Sequence, residues 1–168
     1  MMADYDRSDF PTFSRQKLVA GLCVWIALCF LAPAVGAFSP PDEWYRTLAK
    51  PTWNPSGWVF GPVWMVLYTM MAVSAWLVWQ RGGITKQQKP LSAFMVQLIF
   101  NAAWTPLFFG VQRPDLAFID IILLWLSILV TIILFYQVRR LAAWLLIPYL
   151  AWVSFAAVLN ATLWNMNA

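Results

Sequence analysis

The sequence predicts an all-α membrane protein: an antiparallel bundle of five transmembrane helices with a short helix in the first loop. Three observations carry that prediction. Of 168 residues, 62% are hydrophobic and only 11% charged, against about 45–50% and 25% in soluble domains. The apolar residues gather into five runs, 18–38, 58–79, 91–110, 116–138 and 141–164, none containing lysine or arginine. Each is close to the ~20 residues that carry a helix across the ~30 Å hydrocarbon layer. The runs are continuous, whereas strands of a membrane barrel alternate over about ten residues. The length suits a single domain.

Residues 1–17 form a polar leader. The first run contains Ala32-Pro33-Ala34, which resembles a cleavage site, but it exceeds the 7–15-residue core of a signal peptide and is read as a retained span. Cys23 and Cys29 lie six apart, about 9 Å along a helix axis and on different faces, too far for a mutual disulfide. Residues 39–57 are the one long connection. Ser39-Pro40-Pro41-Asp42 reads as a helix start with Ser39 as N-cap and proline in the first position. Trp44 and Leu48 then share a face, and Pro51 with Asn54-Pro55 ends the element. Such a loop is either a lid over a site or an interfacial anchor built on Trp44, Tyr45, Trp53 and Trp58. The other separators, 80–90, 111–115 and 139–140, are short.

Basic residues divide unequally. Eight (Arg7, Arg15, Lys17, Arg81, Lys86, Lys89, Arg139, Arg140) fall on the side of the N-terminus and three (Arg46, Lys50, Arg113) on the other. The positive-inside rule puts the N-terminus in the cytoplasm, a rule suited to a bacterial cell membrane and weak for a mitochondrial outer membrane.

Interior prolines recur at Pro33, Pro62, Pro106 and Pro148. Those at 33, 106 and 148 should deprive the carbonyls of Cys29, Ala102 and Trp144 of their usual partners, and kinks around one axis favour a cavity. In the third run Phe94, Gln97, Asn101, Trp104 and Phe108 follow one helical face. Amides are costly in hydrocarbon unless paired, so this stripe should face the bundle, as interhelical glue or as a ligand site. Amide beside indole suits a flat, mostly apolar ligand with a few polar edges. Tyr149, Trp152, Ala156 and Leu159, with Asn160 alongside, repeat the pattern in the fifth run, where small Ala156 leaves a gap. Asp120 is the only acid within a span, aligned with Ser127 and Thr131. It is read as reaching the interface and pairing with Arg113.

Other chemistries are excluded. There is no histidine, so the commonest general base, metal ligand and haem ligand is missing. No metal site, phosphate-cradling glycine loop, nucleophile–base pair or nucleic-acid footprint is found. Without a second buried acid there is no proton relay.

Asp42-Glu43-Trp44-Tyr45, then the segment 50–64 (KPTWNPSGWVFGPVW), 97–110 (QLIFNAAWTPLFFG) and 148–160 (PYLAWVSFAAVLN) occur in that order. Together they resemble the tryptophan-rich sensory protein family, also called translocator protein or peripheral-type benzodiazepine receptor, over about residues 18–164. The resemblance implies five membrane helices, usually a homodimer, and a pocket beneath the first loop. That pocket takes porphyrins (protoporphyrin IX or haem) as ligands rather than as required cofactors, and isoquinoline or benzodiazepine compounds. It places ligand-binding residues at Trp53, Asn101, Trp104, Trp152, Ala156 and Leu159. Trp53 would cover the ligand and Asn101 would donate a hydrogen bond. Animal members carry a tyrosine followed by arginine after the final asparagine; Asn160 is followed here by neither, which disfavours cholesterol transport and an animal source.

The expected function is therefore a membrane receptor or sensor for porphyrins. The alternatives are transport, which the lack of an internal repeat disfavours, and light-driven porphyrin breakdown. Breakdown would draw on Trp53 and Trp152 as electron donors, since no acid–base machinery exists. Small residues four apart, Ala32/Gly36 and Ala157/Ala161, are the sequence signal for a homodimer.

Overall fold

A computed structural model describes residues 13–168. The helices are α1 (Arg15–Gly36), α2 (Glu43–Thr47), α3 (Gly57–Trp79), α4 (Gly83–Lys86), α5 (Gln88–Thr105), α6 (Pro114–Val138), α7 (Arg140–Leu145) and α8 (Ile147–Met166). A π-helical turn, Pro106–Gly110, extends α5. Among the described residues there is no strand. Five spans are long and apolar enough to cross a membrane, the last comprising α7 and α8. In hydrocarbon the backbone has no water to bond, so helices that satisfy their own amides are the form these runs must take.

Going round the bundle the order is α1, α3, α7 with α8, α6, α5, and back to α1. α3 packs on α7 and scarcely touches α8. The ring is thus tight at the end carrying the N-terminus and parted between α3 and α8 at the end carrying the long loop. At the tight end Trp76 Nε1 donates to the Leu18 carbonyl at 2.9 Å, and Ser74 Oγ to that of Ala142 at 2.7 Å. α1 approaches α3 closely there because position 21 is glycine: a Cβ on Gly21 would lie 2.5 Å from Trp79 Cζ3.

Several boundaries differ from expectation. α1 starts at Arg15, three residues early, because the Ser14 hydroxyl accepts from Lys17 N and caps it. The loop helix starts after Asp42, not Ser39, with Asp42 Oδ1 accepting from Tyr45 N at 3.3 Å. The cause is the Pro40-Pro41 pair, since a residue before proline is driven to extended backbone. Lys50 Nζ ends that helix by donating to the carbonyls of Tyr45, Arg46 and Leu48. The fifth span is not one helix. It is broken at Leu146, so Pro148 stands in the first turn of α8, where its missing amide costs nothing. Pro106 instead opens the π turn, in which Val111 N reaches back five residues to the Pro106 carbonyl.

Ala32 is buried between α1 and α5, and Gly36 lies against Thr105. That pair of small residues is used within the chain. Ala157 and Ala161 remain half-buried on α8.

The loop is tied to the far end of the chain. Asn167 Oδ1 accepts from Ala49 N at 2.9 Å, and its Nδ2 donates to the Ala49 carbonyl at 3.0 Å and the Leu163 carbonyl at 2.8 Å.

Two outcomes follow from this packing. Gly21→Ala should destabilise by about 1–3 kcal/mol through overpacking against Trp79. Thermal unfolding in detergent should show the loss, with much smaller further loss when Trp79→Leu is added. Asn167→Ala should speed amide exchange and proteolysis around residues 48–50 and leave the tight end unchanged, as read by hydrogen-exchange mass spectrometry.

Candidate functional site

The parting of α3 from α8 leaves a cavity of about 420 Å³. Its walls are Trp64 and Tyr68 of α3, Asn101 and Trp104 of α5, and Trp152 and Ala156 of α8, with Phe30 and Pro33 of α1 and Ile121 and Leu124 of α6 completing it. A second lobe of about 240 Å³ lies above, under the loop, between Tyr45, Phe108, Phe109, Leu159 and Asn160. The lobes share Phe60, Trp64, Trp104, Thr105 and Ala156. Both fall in or near the 300–1,000 Å³ range of small-molecule sites.

A hydrogen-bonded knot forms the floor. Tyr68 Oη donates to Asn101 Oδ1 at 2.7 Å, Asn101 Nδ2 to Tyr149 Oη at 3.1 Å, and Tyr149 Oη to Gln97 Oε1 at 3.0 Å. All four side chains are buried. The third-helix stripe therefore faces the bundle as expected, and its amides are interhelical ties. Asn101 lines the cavity, but both its polar atoms already bond protein. Gln97 Nε2 has no partner.

Trp104 is also fixed. Its Nε1 donates to Asn160 Oδ1 at 3.0 Å, Asn160 Nδ2 donates to the Pro114 carbonyl at 2.8 Å, and its ring stacks on Phe108 at 5.0 Å. Trp152 differs. Its ring meets Phe60 edge-on at 5.8 Å and Phe155 at 5.4 Å, but its buried Nε1 has no partner. The Trp152 N–H is thus sealed as well as unpaired, while Asn101 Nδ2, which carries two protons, donates one of them to Tyr149.

The six residues expected from the sequence are distributed as follows. Asn101 and Trp152 line the deep lobe, Leu159 the upper one, and Trp104 and Ala156 both. Trp53 lines neither. It stands one ring further out, against Phe155 at 5.9 Å, and is 45% exposed. Trp44 and Tyr45 turn inward onto Phe108, while Trp58 is 77% exposed at the rim.

Sequence reasoning overlooked the α3 wall of Phe60, Trp64 and Tyr68. Their i, i+4, i+8 spacing was the available signal. It also mispaired Asp120. Arg113 bonds Asp115 through two contacts, 2.8 and 2.6 Å, an association that raises the Arg113 pKa above its ordinary value. Asp120, five residues deeper and about 140° round the helix, is buried with Oδ2 unpartnered. Among the described residues no three Cys, Asp or Glu side chains converge as a metal site would require.

The cavity's residues lie within a stretch matched by known proteins. Residues 20–165 match the TspO/MBR family. The chain is 40% identical over 161 residues to the tryptophan-rich protein TspO of Chlorobaculum tepidum, covering 92% of this chain and 99% of that one. It is 42% identical over 146 residues to the human translocator protein, with 82% and 86% covered. It is 38% identical over 143 residues to the tryptophan-rich sensory protein of Cereibacter sphaeroides, with 85% and 89% covered. A match spanning all five membrane helices and the loop between the first two leaves one conclusion: the chain is a multi-pass membrane protein belonging to the TspO/MBR family.

Proposed function

We propose that this protein is a membrane receptor for a flat, largely apolar ligand of the porphyrin class, held in the cavity between α3, α5 and α8. The observation that carries the reading is the cavity itself, about 420 Å³ walled by Trp64, Tyr68, Trp104 and Trp152 beside small Ala156. Trp64 and Trp104 offer ring faces there to a flat conjugated body. Isoquinoline- and benzodiazepine-type compounds, apolar ring systems with a carbonyl, share those features. No resident cofactor enters the mechanism. The names of relatives, sensory protein and translocator, are compatible with binding as the common step.

A second reading, photochemical breakdown of the bound porphyrin, is favoured by one arrangement. Trp152, Phe155 and Trp53 form a succession of ring contacts, 5.4 and 5.9 Å apart, from the cavity to the exposed loop. Trp152 so placed could donate one electron to an excited ring system, leaving an indole radical cation and a reduced ligand; a soluble thiol-class reductant reaching Trp53 would return the electron. Binding alone remains the simpler reading, since the chain has no acid–base groups at the cavity beyond its tyrosines. We also propose a homodimer and a cytoplasmic N-terminus. A detergent-corrected mass of one chain would count against the first, and an N-terminal reporter active only outside the cytoplasm against the second.

Adding protoporphyrin IX should quench tryptophan fluorescence saturably at micromolar concentrations; absence of saturation would defeat the binding reading. Ala156→Phe, which fills both lobes, should weaken binding at least tenfold. Trp152→Ala should weaken it about tenfold, by removing a ring from the cavity wall. Illumination of the complex separates the two readings. One defined product, lost in Trp53→Phe while binding persists, would establish chemistry; the product mixture seen in micelles would leave a binder. Porphyrin flux into liposomes above the protein-free rate would instead favour transport.

A further inference from the structure

Charge is distributed unevenly between the two ends of the bundle. At the loop end three cations and three acids occur together. Arg46 lies 3.5 Å from Glu43, Arg113 lies 2.6 Å from Asp115, and Lys50 is bonded to carbonyls. The opposite end gathers Arg15, Lys17, Arg81, Lys86, Lys89, Arg139 and Arg140, and among the described residues no Asp or Glu lies there. Residues 1–12, outside the described residues, contain Arg7 with Asp4, Asp6 and Asp9.

The centre of this patch is a corner built by the fold. Arg139 is extended (φ −156°, ψ 110°) between α6 and α7. Its guanidinium crosses to the end of α3, where Nη1 donates to Gln80 Oε1 at 3.1 Å. Burial, and then the neighbouring Arg81 guanidinium, hold the Arg139 pKa below its ordinary value. Arg140 lies over the Tyr136 ring at 5.4 Å. Tyr136 and Leu141, both about half exposed, flank the corner with apolar surface. Because α6 ends and α7 begins at the margin of their apolar runs, the corner sits at headgroup depth.

We propose that the corner formed by Arg139 and Arg140 binds the phosphate of an anionic phospholipid whose acyl chain lies along Tyr136 and Leu141. Free phosphate shares the charge but makes no use of the apolar flank. Anionic headgroups near a basic membrane margin are held by about 1 kcal/mol per Lys or Arg, roughly fivefold per charge.

The test is native mass spectrometry of the delipidated full-length protein in an equimolar mixture of phosphatidylglycerol and phosphatidylcholine. The expected result is retention of phosphatidylglycerol severalfold over phosphatidylcholine. That ratio should fall about fivefold for each of Arg139→Gln and Arg140→Gln and persist in Arg139→Lys/Arg140→Lys, which guards against a folding artefact. Inorganic phosphate at the same concentration should not displace the lipid. A ratio near one in the unaltered protein, or one unchanged by both glutamine substitutions, overturns the proposal. Displacement by inorganic phosphate makes the corner a free-anion site and overturns it as well. Lipid preference that emerges only after Asp4→Asn/Asp6→Asn/Asp9→Asn assigns the corner to the chain's own leader.

Discussion

The hydrogen-bonded knot of Tyr68, Asn101, Tyr149 and Gln97 governs the architecture above and below it. It joins α3, α5 and α8 at one level, through donors and acceptors that hydrocarbon cannot satisfy. Below it α3 closes on α7, and small residues such as Gly21 let helices meet. Above it α3 and α8 separate, and the space between is filled only in part by rings. A cavity floor made of committed polar atoms leaves the walls to do the recognising. Those walls are mostly apolar, with Thr105 a polar residue common to both lobes.

The loop completes this arrangement from outside. Trp44 and Tyr45 rest on Phe108 and Phe109, which the π turn after Pro106 presents beneath them. Trp104 is clamped from two sides, by Asn160 at its nitrogen and Phe108 at its face. The upper lobe is therefore roofed by aromatic packing, while the deep lobe is bounded by the knot. Positions that serve both lobes, Ala156 above all, control how far one runs into the other.

Much of the fold was legible because the bilayer imposes a length and forbids irregular backbone, so five apolar runs had to be five spans. The stripe from Phe94 to Phe108 was legible because amides stand out in an apolar face. The α3 wall did not stand out, since Phe60, Trp64 and Tyr68 lie in a span where nearly every face is apolar. Ser39 and Asp42 are both good caps, and only the steric effect of two prolines decides between them. The division of the fifth span turns on backbone conformation at Leu146, for which the residue type gives no sign. Asp120 was paired by proximity in sequence, whereas helix rotation carries it away from Arg113. The unpaired donor on Trp152 could be found only by accounting for the partners of every other polar atom in the site.

The tie between Asn167 and Ala49 bears on how the loop moves. Asn167 sits just past the last turn of α8, and the same side chain that grips the loop bonds back to Leu163, which lines the upper lobe. Helix ends are the first parts of a fold to fray, at small free-energy cost and on nanosecond to microsecond timescales. Fraying of that terminus thus frees the Ala49 end of the loop, while Trp44 and Tyr45 on Phe108 and Phe109 and the Gln112–Asp42 bond hold the rest.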